Sequence, residues 1–323
     1  MKSFLSMLVL VAASLETQGQ TRKTENVILI TLDGMRWQEI FNGADSTYMK
    51  QQKVYKDPEL KKKYWHPDVA TRRSLLMPFL WSVWATQGQL LGNRQHNNNV
   101  NVTNNQWFSY PGYSEILTGI ADNERIHSND KFYNPNVTVL EFINAKPDFH
   151  DRVVAYTSRD VFPFIINDQR SGVRVNAGLV PAKAQPLTAA ESALNALMPA
   201  VPNSLGDVLL DAFTFYYGLE YIRKNKPRVI YFGFDETDDF AHAGEYAAYL
   251  NSAHHADQFI AELYAYAQSD PFYRGKTTFI ITVDHGRGPD AESWKRHGAK
   301  VNGADQIWMG FLGPDTPALG EVK

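Results

Sequence analysis

The chain has 323 residues, of which 44% are hydrophobic and 21% charged, a balance typical of a folded globular protein. Its 32 lysines and arginines nearly balance its 35 aspartates and glutamates, and the formal net charge of -3 gives no electrostatic basis for binding a nucleic-acid polymer. Cysteine is absent, which excludes disulfides, thiolate metal sites, iron–sulfur clusters and a cysteine nucleophile. Any metal must therefore be held by carboxylate, imidazole or hydroxyl groups.

The N-terminus predicts a secretory signal peptide over residues 1–20. Met1-Lys2-Ser3 gives a positive start, and the apolar run Phe4–Ala13 is shorter than the roughly 20 residues that cross a bilayer. A polar stretch of small residues follows it. The alternative is a buried N-terminal helix. Cleavage would leave residues 21–323 as a secreted or periplasmic domain without a stable membrane anchor.

Four short apolar runs predict buried strands of a parallel sheet, and a fifth run is a further candidate. In chain order they are Val27–Thr31, Val153–Tyr156, Arg228–Phe234, Thr278–Val283 and the candidate Gln306–Leu312. Helical patterns lie between them at Thr138–Asn144, Leu205–Lys224 and Tyr246–Ala267. This alternation predicts an α/β fold in which a central, mostly parallel sheet lies between two layers of helices.

Two segments, 43–106 and 170–203, do not follow the strand–helix alternation. We interpret both as insertions that cap a site above the sheet, and the alternative is that they are surface loops and peripheral helices. No internal repeat or long linker divides the chain. The sequence therefore predicts a single domain with cap insertions.

Acidic residues follow three of the predicted strands, two of them with a histidine. Asp33 follows the first strand, Asp238 and His242 follow the third, and Asp284-His285 follow the fourth. Carboxyl ends of parallel strands form the site edge of open α/β sheets, so we expect these groups to converge. One such aspartate alone would be interpreted as a helix N-cap. The spacing of four puts Asp238 and His242 on one helix face.

These groups, with one later histidine, are sufficient to hold two divalent cations. The full set is Asp33, Asp238, His242, Asp284, His285 and His297. Carboxylate and imidazole ligands without thiolate are typical of catalytic zinc, and manganese or iron would also fit.

The segment 108–119 predicts a helix that begins at a serine. Pro111 suits the first turn of a helix, and Gly119 suits its end. Free N–H groups and the helix dipole favour an anion at such a helix start. Ser109 is therefore a candidate nucleophile, and the alternative is that it is only an N-cap.

Five short motifs thus occur in a fixed order along the chain. They are Asp33-Gly34-Met35-Arg36, Ser109-Tyr110-Pro111-Gly112-Tyr113 with Thr118-Gly119, Glu236-Thr237-Asp238-Asp239-Phe240-Ala241-His242, Asp284-His285-Gly286 and His297-Gly298. Each motif is weak alone, but the ordered set is specific. It resembles the alkaline phosphatase superfamily, in particular its type I phosphodiesterase/nucleotide pyrophosphatase branch.

The resemblance implies an alkaline phosphatase-like fold and a two-metal hydrolase of phosphoric esters, either a phosphodiesterase or a phosphomonoesterase, and the predicted signal peptide would make this enzyme secreted. It implies a phosphoseryl intermediate on Ser109 and a small phosphorylated substrate. The implied ligands of one metal are Asp238, His242 and His297, and those of the other are Asp33, Asp284, His285 and the Ser109 oxygen. Zinc is the favoured metal. Asn129 is the match to the phosphate-binding asparagine of the branch, with Asn123 as a rival, and Gly112 replaces a family asparagine.

Two other functions are compatible with parts of this pattern. A sulfatase or phosphonate hydrolase of the same superfamily would share the fold and the metal ligands. Ser109-Tyr110-Pro111 matches the start of a sulfatase signature, but Tyr113 stands where that signature has arginine. The second alternative is a catalytically inactive secreted binding protein, although every expected ligand position is filled. No oligomeric state is predicted.

Overall fold

A computed structural model describes residues 22–183 and 186–323, so the predicted signal peptide lies outside the described residues. The strands are β1 (Asn26–Leu32), β2 (Gln89–Leu91), β3 (Val100–Asn101), β4 (Val153–Thr157), β5 (Arg174–Ala177), β6 (Val229–Phe234), β7 (Thr277–Thr282), β8 (Gln306–Ile307), β9 (Met309–Leu312) and β10 (Gly320–Glu321).

Twelve α-helices are present in the described ranges. They are α1 (Trp37–Asn42), α2 (Leu60–Tyr64), α3 (Val69–Leu76), α4 (Ala85–Gln87), α5 (Ser109–Thr118), α6 (Val139–Asn144), α7 (Phe162–Ile166), α8 (Asp168–Ser171), α9 (Ala189–Leu197), α10 (Asp211–Asn225), α11 (Glu236–Ala243) and α12 (Tyr246–Ser269). A π-helical turn covers Leu80–Trp84. Among residues 22–183 and 186–323, no helix combines the length and the apolar composition that crossing a bilayer requires.

The central sheet has eight strands in the order β10-β2-β9-β7-β1-β6-β4-β5. The strands from β7 to β5 are mutually parallel, whereas β9 is antiparallel to both β7 and β2. Strands β3 and β8 form a separate antiparallel pair. Because β1, β4, β6 and β7 are parallel, the residues that follow them meet at one edge of the sheet. The predicted α/β fold with a mostly parallel sheet is confirmed.

Helices cover both faces of the sheet. Side chains alternate along β1, so that Ile28 and Ile30 pack into one hydrophobic core while Leu29 contacts the other. Helices α10 and α12 contribute to the first core, for example through Leu219. Helices α5, α6 and α7 contribute to the second, for example through Tyr113. The strands are therefore buried between two helical layers, which explains their nearly unbroken apolar sequences.

Two predicted elements differ in their extent from the structure. The helix predicted over Leu205–Lys224 begins only at Asp211, because the preceding residues form a turn in which the backbone N–H of Leu209 donates to the Ser158 carbonyl at 2.8 Å. The strand predicted over Gln306–Leu312 is interrupted at Trp308. The buried indole of Trp308 donates to the Met35 carbonyl at 3.0 Å, and this tertiary contact separates β8 from β9.

Both segments predicted as insertions contribute strands to the central sheet. Segment 43–106 contains β2, which pairs with β9, and segment 170–203 contains the edge strand β5. The remaining parts of these segments include helices α2, α3 and α9. Their capping role stays a prediction.

One buried carboxylate lies away from the strand ends, on α12. The Asp257 carboxylate accepts hydrogen bonds from the backbone N–H groups of Phe79 and Leu80 at 2.7 and 2.8 Å, at the start of the π-helical turn. Burial raises the pKa of Asp257 to about 7, and these hydrogen bonds only partly oppose the rise. The folded state thus binds a proton that the unfolded chain releases near its ordinary pKa of 3.8.

We expect the stability that this proton provides to be complete below about pH 4 and lost as the pH rises through 7. A shift of this size corresponds to ~4 kcal/mol of unfolding free energy, since one pKa unit is worth about 1.4 kcal/mol. Asp257→Asn cannot ionise, so its unfolding free energy should fall less between about pH 4 and 8 than that of the wild type. Urea titrations at both ends of this range measure the difference. An identical pH dependence in the two proteins would contradict the assignment.

Candidate metal centre

The predicted ligands converge at the carboxyl edge of the sheet in two groups. One group is Asp238, His242 and His297, and the other is Asp33, Asp238 and His285. Within each group, the candidate ligand atoms all lie within 4.8 Å of one another. Asp238 belongs to both groups, so the two possible cation positions are adjacent.

The first group is built on helix α11. His242 Nε2 lies 3.3 Å from Asp238 Oδ2, as the helical spacing of four predicts. His297 reaches the same point from the loop before β8, with its Nε2 2.9 Å from His242 Nε2 and 3.7 Å from Asp238 Oδ1. Asp238 is buried, whereas the His242 side chain is 46% exposed. This group is therefore open to solvent on one side.

The second group is fully buried. His285 Nε2 lies 3.2 Å from Asp33 Oδ1, 3.4 Å from Asp284 Oδ2 and 3.8 Å from Asp238 Oδ1. Asp33 Oδ1, Asp284 Oδ2 and His285 Nε2 have no hydrogen-bond partner among the described residues. Buried polar atoms without partners are costly, and two carboxylate oxygens facing an imidazole nitrogen form a donor set that fits a divalent cation.

Backbone carbonyls orient two of the histidines. The Nδ1 atom of His285 lies 2.9 Å from the Gly286 carbonyl, and that of His297 lies 3.2 Å from the Trp107 carbonyl. When Nδ1 carries the proton of a neutral imidazole, the Nε2 lone pair is free to bind a metal, which is the usual arrangement of histidine ligands. Trp107 has a positive φ of 57°, a strained conformation for a tryptophan. Its carbonyl is thereby directed to His297.

Burial and charge separate the pKa values of these groups. Burial lowers the pKa of His297 well below its ordinary range, with a further contribution from His285, so His297 is a neutral imidazole that can bind a metal. Burial would also lower the pKa of His285, but Asp284 and Asp33 raise it to about 9. Burial opposes ionisation of Asp33 too, yet the neighbouring His285 imidazole and the charge of Arg159 lower its pKa below the ordinary value.

Close packing at this edge requires a glycine at position 34. Gly34 has φ +56°, and a Cβ there would lie 2.9 Å from His285 Cε1 and 3.0 Å from Asp238 Oδ1. Any side chain at this position would displace candidate ligands. Arg287 also packs against these residues. Its buried guanidinium contacts the Asp238 carboxylate and donates to the Gly34 carbonyl at 3.1 Å.

Helix α5 places Ser109 beside these strand ends. Ser109 is buried and begins the helix, which ends at Gly119 with φ +70° as predicted. The Tyr113 hydroxyl, one turn on, donates to Asp33 Oδ2 at 2.9 Å. A Cβ on Gly112 would lie 2.2 Å from the Asp284 carbonyl oxygen, so glycine at this position lets the helix pack directly on the strand end.

Arg159, which follows β4, is a further residue of the site that was not predicted from the sequence. Its Nη1 donates to Ser109 Oγ at 3.2 Å, its Nε lies 3.1 Å from Asp235 Oδ1, and its Nη2 lies 3.6 Å from Asp238 Oδ2. One guanidinium therefore contacts the candidate nucleophile and borders a candidate metal ligand. Its position in the sequence could have indicated this role, because Ser158-Arg159 follows a predicted strand just as Asp33 does.

The two candidate asparagines occupy different places. Asn129 Oδ1 accepts a hydrogen bond from the Tyr110 backbone N–H at 2.8 Å, directly beside Ser109. Asn123 instead accepts from the Asn105 N–H at 2.9 Å, in the loop before the helix. Asn129 is thus the one that touches the helix start, and its role in binding substrate stays a prediction.

A scan against protein-family models gives no match, and no curated protein matches the sequence. Solved structures do match. The lipoteichoic acid synthase LtaP from Listeria monocytogenes is 12% identical, with a TM-score of 0.54, over 93% of this chain and 68% of its own. BT1596, a 2-O GAG sulfatase, is 12% identical, with a TM-score of 0.50, over 90% of this chain and 64% of its own. A protein in the alkaline phosphatase superfamily from Vibrio parahaemolyticus is 12% identical, with a TM-score of 0.49, over 92% of this chain and 62% of its own.

The chain spans between 62% and 68% of the lengths of these proteins. At 12% identity the likeness is one of fold. The motifs that resemble the superfamily lie at the carboxyl edge of the sheet that builds this fold. The chain therefore has the α/β fold of the alkaline phosphatase superfamily, as its ordered motifs predicted.

Proposed function

We propose that this chain is a two-metal hydrolase of phosphoric esters in which Ser109 is the nucleophile. The observation that carries the proposal is the pair of ligand groups sharing Asp238, beside a buried serine that begins a helix. The donor set of carboxylate and imidazole suits zinc, and manganese and iron are alternatives. The substrate is a small phosphorylated molecule, either a monoester or a diester.

The ligand groups define what each side chain would do. Asp238, His242 and His297 would hold one cation, and Asp33, Asp284, His285 and Ser109 Oγ the other, with the Asp238 carboxylate within reach of both. Bound divalent cations would supply Lewis-acid stabilisation of the phosphoryl oxygens and lower the pKa of a coordinated hydroxyl. Ser109 Oγ would then lose its proton and form a bond to phosphorus, while the bond from phosphorus to the ester oxygen breaks and that oxygen takes up a proton as it leaves. Hydrolysis of this intermediate by water releases phosphate when the substrate is a monoester, or a phosphate monoester when it is a diester, and regenerates the serine hydroxyl.

The surroundings of Ser109 also favour an anion. The Arg159 guanidinium at Ser109 Oγ can donate to phosphoryl oxygens, and charge-assisted hydrogen bonds of this kind are strong. Asn129, beside the helix start, supplies a side-chain amide at the same place. The arginine is 20% exposed, so it can contact a bound substrate.

Replacing Arg159 with alanine should lower kcat/KM for phosphoric esters by about 10- to 100-fold, the effect of losing a charged hydrogen bond to the transition state. Arg159→Lys should retain part of the activity, because it keeps the charge but not the planar fork. Arg170→Ala is a matched control, since Arg170 pairs with Glu141 away from the site. Equal kcat/KM values in the wild type and Arg159→Ala would exclude Arg159 from substrate binding.

A substrate panel tests the proposed activity directly. Aryl phosphate monoesters, phosphate diesters, phosphonate monoesters and aryl sulfates are assayed with added zinc, manganese or iron. We expect turnover of a phosphate mono- or diester. Turnover of sulfates alone would support a sulfatase, and metal binding without any turnover would support an inactive binding protein.

We further propose that the protein is secreted or periplasmic, on the basis of the signal peptide predicted at residues 1–20. We propose that it does not bind a nucleic-acid polymer and that it is not stably anchored in a membrane. N-terminal sequencing of the exported protein should give a first residue between positions 14 and 21. A mature protein that retains Met1 would contradict the signal peptide.

A further inference from the structure

A buried carboxylate outside the metal centre caps the helix that carries two of its candidate ligands. Asp211 begins α10 and is 4% exposed. Its carboxylate accepts hydrogen bonds from the backbone N–H groups of Asp235 at 2.9 Å and Glu236 at 3.3 Å. These N–H groups lie at the start of α11, the helix of Asp238 and His242.

The caps of the two helices are reciprocal. Glu236 accepts a hydrogen bond from the Asp211 backbone N–H at 3.0 Å and, through its other oxygen, from the Ser252 hydroxyl of α12 at 2.8 Å. Within the described chain, the N-cap residues of α10 and α11, Leu210 and Asp235, make no side-chain cap of their own. Each helix start therefore depends on a carboxylate from the other helix.

Asp211 Oδ1, which accepts the hydrogen bond from the Asp235 N–H, also contacts the turn after β4. Asp211 Oδ1 accepts a hydrogen bond from the Ser158 hydroxyl at 2.6 Å, and Ser158 directly precedes Arg159. One carboxylate thus connects two parts of the site. On one side is the short helix with the metal ligands, and on the other is the turn that directs a guanidinium to Ser109.

We infer that Asp211 is a positioning residue, which holds helix α11 and the Ser158–Arg159 turn at a fixed separation. An isolated helix of eight residues is marginal in water, so the direction of α11 depends on such contacts. Without the Asp211 carboxylate, Asp238 and His242 lose a fixed helix start, and the Ser158–Arg159 turn loses its hydrogen bond to Asp211. Arg159 is then held to that helix start only by its own contacts with Asp235 and Asp238. The inference rests on the metal centre of the proposed function.

The first test compares two buried carboxylates that each accept two backbone N–H groups. Asp211→Ala removes the carboxylate at α11, and Asp257→Ala removes the equivalent one at Phe79 and Leu80, which carry no candidate ligand. Zinc dissociation constants are measured by competition with a chromophoric chelator, and thermal unfolding is recorded for both. We expect both variants to lose stability. Only Asp211→Ala should bind zinc about 10- to 100-fold more weakly, as outer-shell changes do.

Asp211→Asn provides a milder change if the alanine variant does not fold. An asparagine can still accept from Ser158 and Asp235 through Oδ1, but it cannot accept from Glu236 through its nitrogen. If both variants fold, the zinc affinity of Asp211→Asn should lie between those of the wild type and Asp211→Ala. If only Asp211→Asn folds, its zinc affinity should be lower than that of the wild type. Zinc affinities equal to those of Asp257→Ala in every folded Asp211 variant would overturn the inference.

Ser158→Ala separates the two connections. This variant keeps the α11 cap and removes the hydrogen bonds of the Ser158 hydroxyl with Asp211 and with Thr214 of the same helix, which hold the Arg159 turn to α10. We expect zinc affinity to be unchanged and inorganic phosphate to bind the zinc-loaded protein several-fold more weakly. Unchanged phosphate binding would overturn the link. The zinc comparison does not depend on turnover. A wild type that binds zinc but hydrolyses no phosphoric ester would refute the proposed function, and the zinc affinities of the Asp211 variants would still test the role of Asp211.

Discussion

Replacing Ser109 with alanine is expected to abolish the hydrolysis of phosphoric esters, with a loss in kcat of about 10,000-fold or more. The substitution removes the oxygen that would form the bond to phosphorus. It leaves the buried group of Asp33, Asp284 and His285 intact, because none of their mutual contacts passes through the serine. Ser109 Oγ is one of four candidate ligands of that cation, and we expect the three that remain to keep the metal content at that of the wild type.

Two measurements check this expectation. Steady-state kinetics gives the loss in kcat, and elemental analysis of the dialysed protein gives the metal content. Ser114→Ala is a matched control, since Ser114 is buried in the same helix but accepts a hydrogen bond from Asn134 at 3.0 Å and faces no candidate ligand group. Its activity should stay within a few-fold of the wild type. Persistent turnover in Ser109→Ala would remove the serine from the mechanism.

Replacing Asp238 with alanine should affect both cation positions at once. Asp238 belongs to both ligand groups, whereas His242 belongs to one. Its carboxylate also neutralises the buried guanidinium of Arg287. Removing one partner of a buried ion pair costs about 3–5 kcal/mol. We therefore expect Asp238→Ala to lose both metals and to unfold at a lower denaturant concentration.

His242→Ala separates metal binding from stability. The His242 side chain is 46% exposed and belongs only to the first group, so its loss should reduce the occupancy of one cation with little change in stability. Asp160→Ala is a control for the loss of a surface aspartate, since Asp160 pairs with Lys131 outside the two ligand groups. Zinc stoichiometry and guanidinium unfolding distinguish the variants. Two metals retained by Asp238→Ala would contradict the shared position of Asp238.

The central strands could be predicted because their environment determines their composition. Strands β4 and β6 are buried along their whole length between two helical layers, and they appear in the sequence as short apolar runs. The peripheral strands could not be predicted. Strand β2 has only three residues and β10 only two, so their pairing depends on tertiary contacts rather than on a local pattern.

The site could be predicted where its residues directly follow central strands. Asp33 and Asp284 lie next to each other because β1 and β7 are parallel neighbours. The resemblance placed Asp238 with one metal, whereas in the structure it lies within reach of both groups. The positive φ of Trp107 and the cap that Asp211 provides to another helix depend on residues distant in sequence. No local pattern indicates either contact.

The most direct test of the two-metal centre is anomalous diffraction from crystals grown with zinc. We predict two zinc peaks about 4 Å apart, one at Asp238, His242 and His297 and the other at Asp33, Asp284 and His285. Ser109 Oγ should coordinate the second zinc. A single peak, or a Ser109 Oγ outside the coordination shell of both ions, would contradict the account.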